Sequence, residues 1–238
     1  MALAAGAISV TTNPAYCSKL LKSDPDFIYN IIDQVVKDVD DDDEAADVVC
    51  QQVTIRFLEQ FLPLYERSGG QLGFVTIQDD PRCDEDPDAI VNASLRHSKL
   101  GKNYMAKVPV TVAGIEAMKR LVERDVPITA TECFLISQAI AMCELYQNVS
   151  RKSGKHSPFL ITHITGIYDE EIKDYVSREK VNIAPELVEQ AGCIVGRKEY
   201  RLLKERGYQT TMLGGACGLH HFTEFVGGDL HLYCSRLR

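Results

Sequence analysis

Short apolar segments alternate with segments of helical periodicity along nearly the whole chain, and this alternation restricts the fold more than any other feature. The predicted strands are Ala7–Thr12, Gly73–Gln78, Tyr104–Val108, Pro127–Thr131, Pro158–Ile164, Thr210–Gly214 and Asp229–Tyr233. Strands that alternate with helices form a parallel sheet covered by helices. The sequence therefore predicts an α/β protein.

Helical segments fill the intervals between these strands. Asp24 followed by Pro25, with apolar residues at helical spacing from Phe27 to Val36, predicts a helix that Asp24 caps. The other predicted helices are Glu44–Leu64, one that begins at Thr111, Ile136–Asn148, Glu170–Val176, Pro185–Arg206 and Leu219–Phe225. The two usual nucleotide-binding fingerprints, G-x-G-x-x-G after the first strand and G-x-x-x-x-G-K-[ST], do not occur in the sequence.

The strand spacing favours a (β/α)8 TIM-barrel type over an open, doubly wound sheet. We expect one domain over residues 1–238, because no linker composition interrupts the chain. The first ten residues lack the basic start of a secretory signal and are interpreted as a buried strand with its approach. No apolar run reaches the ~20 residues that a membrane span needs.

The formal charge of −8 comes mostly from one acidic segment, Asp38–Asp47. The rest of the chain is nearly neutral and shows no basic cluster, so we expect neither nucleic acid nor membrane as a partner. Like charges in such a run repel one another and stay hydrated. We therefore expect a solvated turn between helices there, in preference to a cation site.

The eight cysteines are scattered without a C-x-x-C pair, and several lie inside apolar stretches. Free cysteine behaves there as a small apolar residue. This usage favours a reducing compartment, the cytoplasm, and argues against a disulfide framework or a zinc site.

Lys107 is the most informative polar residue at the predicted strand ends, where parallel barrels carry their active sites. It lies within the apolar segment Met105–Pro109. Burial lowers the pKa of a lysine and yields a neutral amine, which can attack a carbonyl to form a Schiff base. The spacing alone fits equally well a lysine that only extends into solvent.

Four motifs resemble those of the transaldolase family, in family order and at roughly family spacing. They are Val10–Pro14 (V-T-T-N-P); Gly73–Arg82; Lys107–Thr111 (K-V-P-V-T) with Gly114–Ala117; and Thr129–Thr131 with Phe134 and Ser137–Ala139. The resemblance implies a class I aldolase or transaldolase of carbohydrate metabolism. Such an enzyme needs neither cofactor nor metal and acts on a sugar or sugar phosphate.

The resemblance also implies the roles of individual residues. Lys107 is the expected Schiff-base nucleophile, and Thr131 matches the threonine that helps to hold the catalytic water. Gln78 stands where transaldolases have a glutamate and fructose-6-phosphate aldolases a glutamine. Because an amide orients water but accepts no proton, this residue favours aldol cleavage over transfer.

Further positions match the substrate-binding part of the family pattern. Asn13 and Thr12 are expected at substrate hydroxyls, and Thr162 at a position that faces the pocket. His163 is a candidate proton shuttle, although a histidine hydrogen-bonded behind the strand end is an alternative. Arg82 is a candidate phosphate ligand or an ordinary surface arginine.

Three departures from the family pattern bear on activity. No Asp or Glu precedes Thr11, although the family has an acid–base aspartate upstream of this motif. Ile167 occupies the position at which the family has a phosphate-binding arginine. No closing helix is expected after the last strand. We therefore expect an incomplete barrel of about seven strands. Its open edges would favour a homo-oligomer.

The sequence leaves two alternative functions open. One is a non-catalytic transaldolase remnant that acts as a binding or association module. The other is a metal-dependent aldolase that uses His220 and His221 with Asp229 and His231. Adjacent histidines on a helix are expected to point apart, which argues against this metal site.

Overall fold

The computed structural model describes residues 3–234, and all seven predicted strands are present. The strands are β1 (Val10–Thr11), β2 (Val75–Gln78), β3 (Tyr104–Pro109), β4 (Ile128–Cys133), β5 (Phe159–His163), β6 (Thr211–Ala216) and β7 (His231–Cys234). The helices are α1 (Ala15–Ser23), α2 (Pro25–Val35), α3 (Asp42–Arg67), α4 (Pro87–His97), α5 (Val112–Val122), α6 (Ile136–Ser153), α7 (Thr165–Glu179), α8 (Pro185–Val188), α9 (Ala191–Glu205) and α10 (Leu219–Glu224).

The strands keep their chain order in the sheet, from β1 to β7, and the pairs β1·β2, β2·β3, β5·β6 and β6·β7 are parallel. Helices connect the successive strands. The predicted fold class is confirmed: an α/β protein of the incomplete (β/α)8 TIM-barrel type. Within residues 3–234, no helix combines the length and apolar character needed to cross a membrane.

The chain divides into two compact units. Unit 1 comprises the residues up to Leu121 together with Val126–Ile128, and unit 2 comprises Val122–Asp125 and the residues from Thr129 onward.

Unit 1 holds strands β1 to β3 and the helices that pack on them. Its helical layer has a core in which α2 and α3 interdigitate. The buried members of this core are Ile28, Val35, Ala45, Val49 and Val53. Tyr16 of α1 packs edge-on against Phe57 of α3, with ring centroids 5.3 Å apart. The three helices therefore form one apolar layer beside the sheet.

Unit 2 holds strands β5 to β7 and helices α6 to α10. Helix α6 packs on β5 through Tyr146 and Phe159, whose ring centroids are 4.9 Å apart. The Tyr146 hydroxyl donates to the carbonyl of Ser157 at 2.8 Å. This contact anchors the segment just before β5.

Several local predictions were wrong. Helices α1 and α4 were not predicted, and the predicted helix Pro185–Arg206 is interrupted between α8 and α9. The expected buried N-terminal strand is limited to Val10–Thr11, and residues 3–6 are exposed. Asp24 precedes α2, but its side chain makes no capping hydrogen bond.

The acidic segment also departs from the expected solvated turn, because most of it begins α3. The Asp41 side chain accepts a hydrogen bond from the Glu44 N–H at 2.9 Å and caps the helix. Asp42, Asp43 and Glu44 fill the first turn. Negative charge there is stabilised by the positive end of the helix dipole, which explains why like charges tolerate this proximity.

Gly73 closes the turn between α3 and β2. Its φ of +83° lies in the left-handed region, and an added Cβ would lie 2.5 Å from the Tyr65 backbone nitrogen and 2.7 Å from the Phe61 carbonyl oxygen. The buried Asn103 side chain donates to the carbonyl oxygens of Gly73 and Leu58. Helix and strand therefore approach too closely here for a side chain.

We expect Gly73→Ala to lower the free energy of unfolding by about 3 kcal/mol, because backbone strain and steric overlap add together. Gly69→Ala is the matched control: Gly69 also has a positive φ, but an added Cβ would meet nothing within 4 Å. That control should cost only about 1 kcal/mol. Urea unfolding measures both, and equal losses would contradict the close approach at Gly73.

Candidate active site

Four of the predicted site residues lie where the first three strands of unit 1 end. Thr12 and Asn13 follow β1, Gln78 ends β2, and Lys107 lies near the end of β3. In a parallel sheet, the carboxyl ends of neighbouring strands meet at one edge. The sequence argument for a polar site at this edge thus has its structural counterpart in unit 1.

The register of the sheet sets Gln78 beside Lys107. These two residues are partners across β2 and β3, and partners in adjacent parallel strands project from the same face. Tyr104, at an alternate position of β3, contacts His97 of α4 on the opposite face, with ring centroids 6.5 Å apart. Lys107 and Gln78 therefore project away from the layer that contains α4.

A polar layer lies one step below this pair on the same face. Thr76 is the register partner of both Thr11 and Met105. Its hydroxyl donates to the Thr11 hydroxyl at 2.7 Å. The side chains at the base of the site are thus fixed by contacts between strands.

The Lys107 ammonium position is defined by a backbone contact. Its Nζ donates to the carbonyl oxygen of Thr12 at 3.3 Å, and the side chain is half-buried. The Thr12 N–H and hydroxyl both donate to the Thr76 carbonyl, at 3.0 and 2.9 Å. Because Thr12 is fixed to β2 in this way, its carbonyl is a rigid partner for the lysine.

The turn after β3 is tightly constructed. The Thr111 hydroxyl accepts from the Gly114 N–H at 3.0 Å and donates to the Asp84 carbonyl at 3.1 Å. A Cβ at Gly114 would lie only 1.9 Å from the Pro109 carbonyl oxygen. Glycine at this position lets α5 begin directly behind the segment that carries Lys107.

The other predicted ligands of unit 1 have different surroundings. Asn13 is exposed, and its carbonyl accepts from the Tyr16 N–H at the start of α1. Arg82 is exposed and forms ion pairs with Asp80 at 2.6 Å and Asp43 at 2.8 Å. An anion that bound Arg82 would therefore compete with two carboxylates.

Two predicted site threonines belong to unit 2. Thr131 near the end of β4 is 3% exposed, and Thr162 of β5 is 1% exposed. Within the described part of the chain, the Thr162 hydroxyl has no hydrogen-bond partner. A buried hydroxyl usually finds a partner, so this group is available to a ligand or to water.

His163 lies on the opposite face of β5 from Thr162 and packs among helices. Its Nδ1 is 3.3 Å from a carboxylate oxygen of Glu199 on α9, and both side chains are fully buried. The ring stacks on Tyr168 of α7, with centroids 5.4 Å apart. Nε2 of His163 lies 3.4 Å from the Gly192 carbonyl oxygen in a hydrogen bond, which corresponds to the alternative of a histidine hydrogen-bonded behind the strand.

The histidines considered for a metal form a different cluster from the expected one. His220 and His221 do not point apart as expected: both Nε2 atoms lie near one oxygen of Asp169, at 3.1 and 2.8 Å. The short helix α10 directs both rings toward α7. Asp229 instead pairs with Lys204 at 2.6 Å, and His231 is not part of the described cluster.

The hydrogen bonds of this cluster define its protonation. The backbone N–H of Cys217 donates to Nδ1 of His221 at 3.0 Å, so a neutral ring carries its proton on Nε2 and donates it to Asp169. A metal-bound histidine instead donates its second ring N–H to an acceptor. Burial would raise the pKa of Asp169, but bonds from His221, the Gly192 N–H and His220 outweigh it and lower the pKa. This donor set favours a hydrogen-bonded cluster over a metal site.

A buried ion cluster that was not predicted from the sequence lies next to Gln78. His97 on α4 is 3% exposed and lies between two carboxylates, with Nε2 3.1 Å from Asp47 and Nδ1 2.7 Å from Asp79. Burial alone would lower the pKa of His97, but hydrogen bonds and charge from Asp47 and Asp79 raise it to about 9. The available signal was Asp79, which directly follows a predicted strand end.

The fold places the chain in the class of (β/α)8 TIM-barrel type proteins, which carry their functional residues at the carboxyl ends of the strands. A sequence model described as transaldolase/fructose-6-phosphate aldolase matches residues 3–218. The chain belongs to the transaldolase/fructose-6-phosphate aldolase family.

Individual relatives agree with this assignment. A transaldolase of Thiobacillus denitrificans is 27% identical over 59% of this chain and 40% of its own length. Transaldolases of Neisseria meningitidis and Mycobacterium ulcerans are each 24% identical, over 87% and 84% of this chain and 63% and 59% of theirs. The chain thus spans 40–63% of the length of these relatives.

We expect His97→Gln to destabilise the protein in a pH-dependent way. Because the folded-state pKa of about 9 exceeds the ordinary value near 6.5, the charge stabilises fully below pH 6.5 and loses this effect as the pH rises through 9. The difference in unfolding free energy between wild type and variant should shrink by on the order of 3 kcal/mol between pH 6 and 10.

Urea unfolding at several pH values measures this difference. His156→Gln, which replaces an exposed histidine outside the ion cluster, is the matched control and should change the unfolding free energy by less than about 0.5 kcal/mol. A constant difference for His97→Gln over the same range would refute a cationic His97.

Proposed function

We propose that this chain is a transaldolase-like class I aldolase in which Lys107 forms a Schiff base with a ketose carbonyl. One observation carries the proposal: Lys107 is half-buried, its Nζ donates to the Thr12 carbonyl at 3.3 Å, and its side chain lies on the same sheet face as Gln78. Family membership supports this assignment of the lysine.

The first step would be attack of the neutral amine on the ketose carbonyl carbon, with loss of water. The Thr12 carbonyl accepts a hydrogen bond from Nζ of Lys107 and would help to hold the amine in position for this attack. The resulting iminium would then accept the electron pair of the breaking C3–C4 bond and leave an enamine.

Proton transfer would depend on ordered water. An amide at Gln78 can orient a water molecule but cannot accept its proton. The family resemblance makes Thr131 the proposed water-holding threonine, and the Thr162 hydroxyl, which has no hydrogen-bond partner among the described residues, is a proposed contact for a substrate hydroxyl. Without a carboxylate at Gln78, we infer that reversible aldol cleavage dominates over sugar-to-sugar transfer.

The remaining predicted residues have smaller roles in this proposal. Thr12 acts through its carbonyl, since its hydroxyl is bonded to Thr76. Asn13 is exposed and accessible to a substrate hydroxyl. Arg82 would bind a phosphate only by exchanging one of its carboxylate partners. We assign His163 no role in the reaction, because its ring packs against Glu199 and Tyr168.

Borohydride trapping tests the proposal directly. With dihydroxyacetone or fructose 6-phosphate, we expect a covalent mass adduct confined to Lys107, and Lys107→Met should reduce it to background while circular dichroism stays unchanged. Lys102→Met is the matched control, because the Lys102 side chain is 77% exposed and its Nζ is 3.8 Å from Glu66. It should retain the full adduct.

The outcomes separate the open alternatives. An adduct that persists in Lys107→Met would refute the assignment of the nucleophile. No adduct in wild type at any pH would favour the non-catalytic remnant. Cleavage activity that EDTA abolishes would favour the metal-dependent aldolase.

We expect Gln78→Glu to raise transfer relative to cleavage, because a carboxylate at this position can accept a proton from water. General-base groups contribute about 10²–10⁴-fold, so an increase of about tenfold or more in the ratio is expected. Product analysis with an aldose phosphate acceptor measures the ratio. Gln71→Glu, at an exposed residue, should leave it unchanged, and an equal ratio in both variants would contradict the role of Gln78.

A further inference from the structure

Two cysteines from separate helices of unit 1 meet beside the proposed site. Cys17 on α1 and Cys50 on α3 are 33 positions apart in sequence, and their Sγ atoms are 3.2 Å apart in a hydrogen bond. Both are free thiols and both are half-buried. At this distance the two sulfur atoms are already in contact.

The environment shifts the pKa values of the two thiols in opposite directions. The hydrogen bond from Cys50 lowers the pKa of Cys17, although burial opposes this effect. The same hydrogen bond, burial and nearby negative charge, including Asp47, raise the pKa of Cys50. Cys17 is therefore the better nucleophile, and Cys50 is the group that keeps its proton.

Small molecules can reach the pair. Cys17 and Cys50 both line a cavity of about 600 Å³ in unit 1. Its wall is mostly apolar and includes Ile28, Ile32 and Val49. The volume is ample for hydrogen peroxide or a small organic hydroperoxide.

From this geometry we propose that Cys17 and Cys50 form a redox-active pair, which a hydroperoxide converts into a reversible disulfide between α1 and α3. The Cys17 thiolate attacks one peroxide oxygen, the O–O bond breaks, and the leaving oxygen takes a proton to become water or an alcohol. Cys17 is then a sulfenic acid.

The second step closes the disulfide. The sulfur of Cys50 attacks the sulfur of Cys17, the S–O bond breaks, and the departing hydroxide takes the proton of Cys50 as water. The two thiols together thus lose two electrons, and one peroxide is reduced. A dithiol reverses the change by thiol–disulfide exchange. The bond would tie α1 to α3 immediately after the segment that positions Lys107.

Peptide mapping tests this pair in the full chain. The reduced protein is treated with hydrogen peroxide, free thiols are blocked with N-ethylmaleimide, and the trypsin digest is analysed without reductant. Trypsin cleaves after Lys19, Lys37 and Arg56, so residues 1–19 and 38–56 each carry one of the two cysteines. We expect these peptides as a linked pair that dithiothreitol separates.

The rate of disulfide formation tests whether the peroxide reacts preferentially with this pair. We expect the link to form about tenfold faster than the exposed Cys83 is oxidised. Cys83→Ser is the matched control and should leave the link intact. Loss of the exposed Cys83 thiol before any link appears would overturn the proposal.

Single variants test the direction of the reaction. In Cys50→Ser, we expect dimedone to trap a sulfenic acid on Cys17, whereas Cys17→Ser should give much less trapping on Cys50. Equal trapping at both would overturn the assigned roles. The linked peptide of the wild type is measured without any variant, so a folding defect does not obscure the result. Its readout is a covalent bond, independent of whether Lys107 forms a Schiff base.

Discussion

The parallel register of the first three strands is the constraint on which the proposed site depends. Because Thr76 pairs with both Thr11 and Met105, the next position along the same face must hold Gln78 and Lys107 together. A slip of one residue would turn every side chain of a strand to its other face. The glycine at Gly73 and the buried Asn103 keep β2 in this register by fixing its start against α3.

Each unit contains a buried cluster of histidine and aspartate side chains, but the ratio of histidines to aspartates is reversed between the two clusters. In unit 1 one histidine, His97, lies between two carboxylates and is held as a cation. In unit 2 one carboxylate, Asp169, lies between His220 and His221 and is held as an anion. Each cluster joins separate helices or loops, so breaking one partner would leave an uncompensated buried charge. We regard both clusters as structural, since neither includes Lys107.

The sequence allowed the strands to be predicted because each one is a short apolar or β-branched run bounded by polar residues. The two unpredicted helices lack the signal that identified the others. Helix α1 is only nine residues long and has no fully buried residue, and it contacts the core through the partly buried Tyr16, Cys17 and Leu20. Helix α4 buries Ser94 and His97 along with Ile90 and Val91, so half of its inward face is polar.

The candidate site could likewise be predicted only where a local sequence pattern indicated it. Lys107 and Gln78 could be proposed from strand ends and motif resemblance, because both arguments use local sequence. The Cys17–Cys50 contact and the His97 cluster depend on how α1, α3 and α4 pack, and the sequence separations of 33 and 50 residues give no local signal. The convergence of His220 and His221 likewise follows from the direction of a six-residue helix.

Family membership and the local chemistry of this chain constrain function in different ways. Membership shows the family, whereas the structure shows a half-buried lysine near the end of β3 that donates a hydrogen bond to the Thr12 carbonyl. A neutral neighbour such as Gln78, however, cannot carry a proton between substrate and water. In the proposed reaction, every step after imine formation that needs an acid or a base must therefore use a group other than the Gln78 side chain. Trapping of the imine does not depend on those later steps, so we expect it to test the proposal more directly than an assay of turnover does.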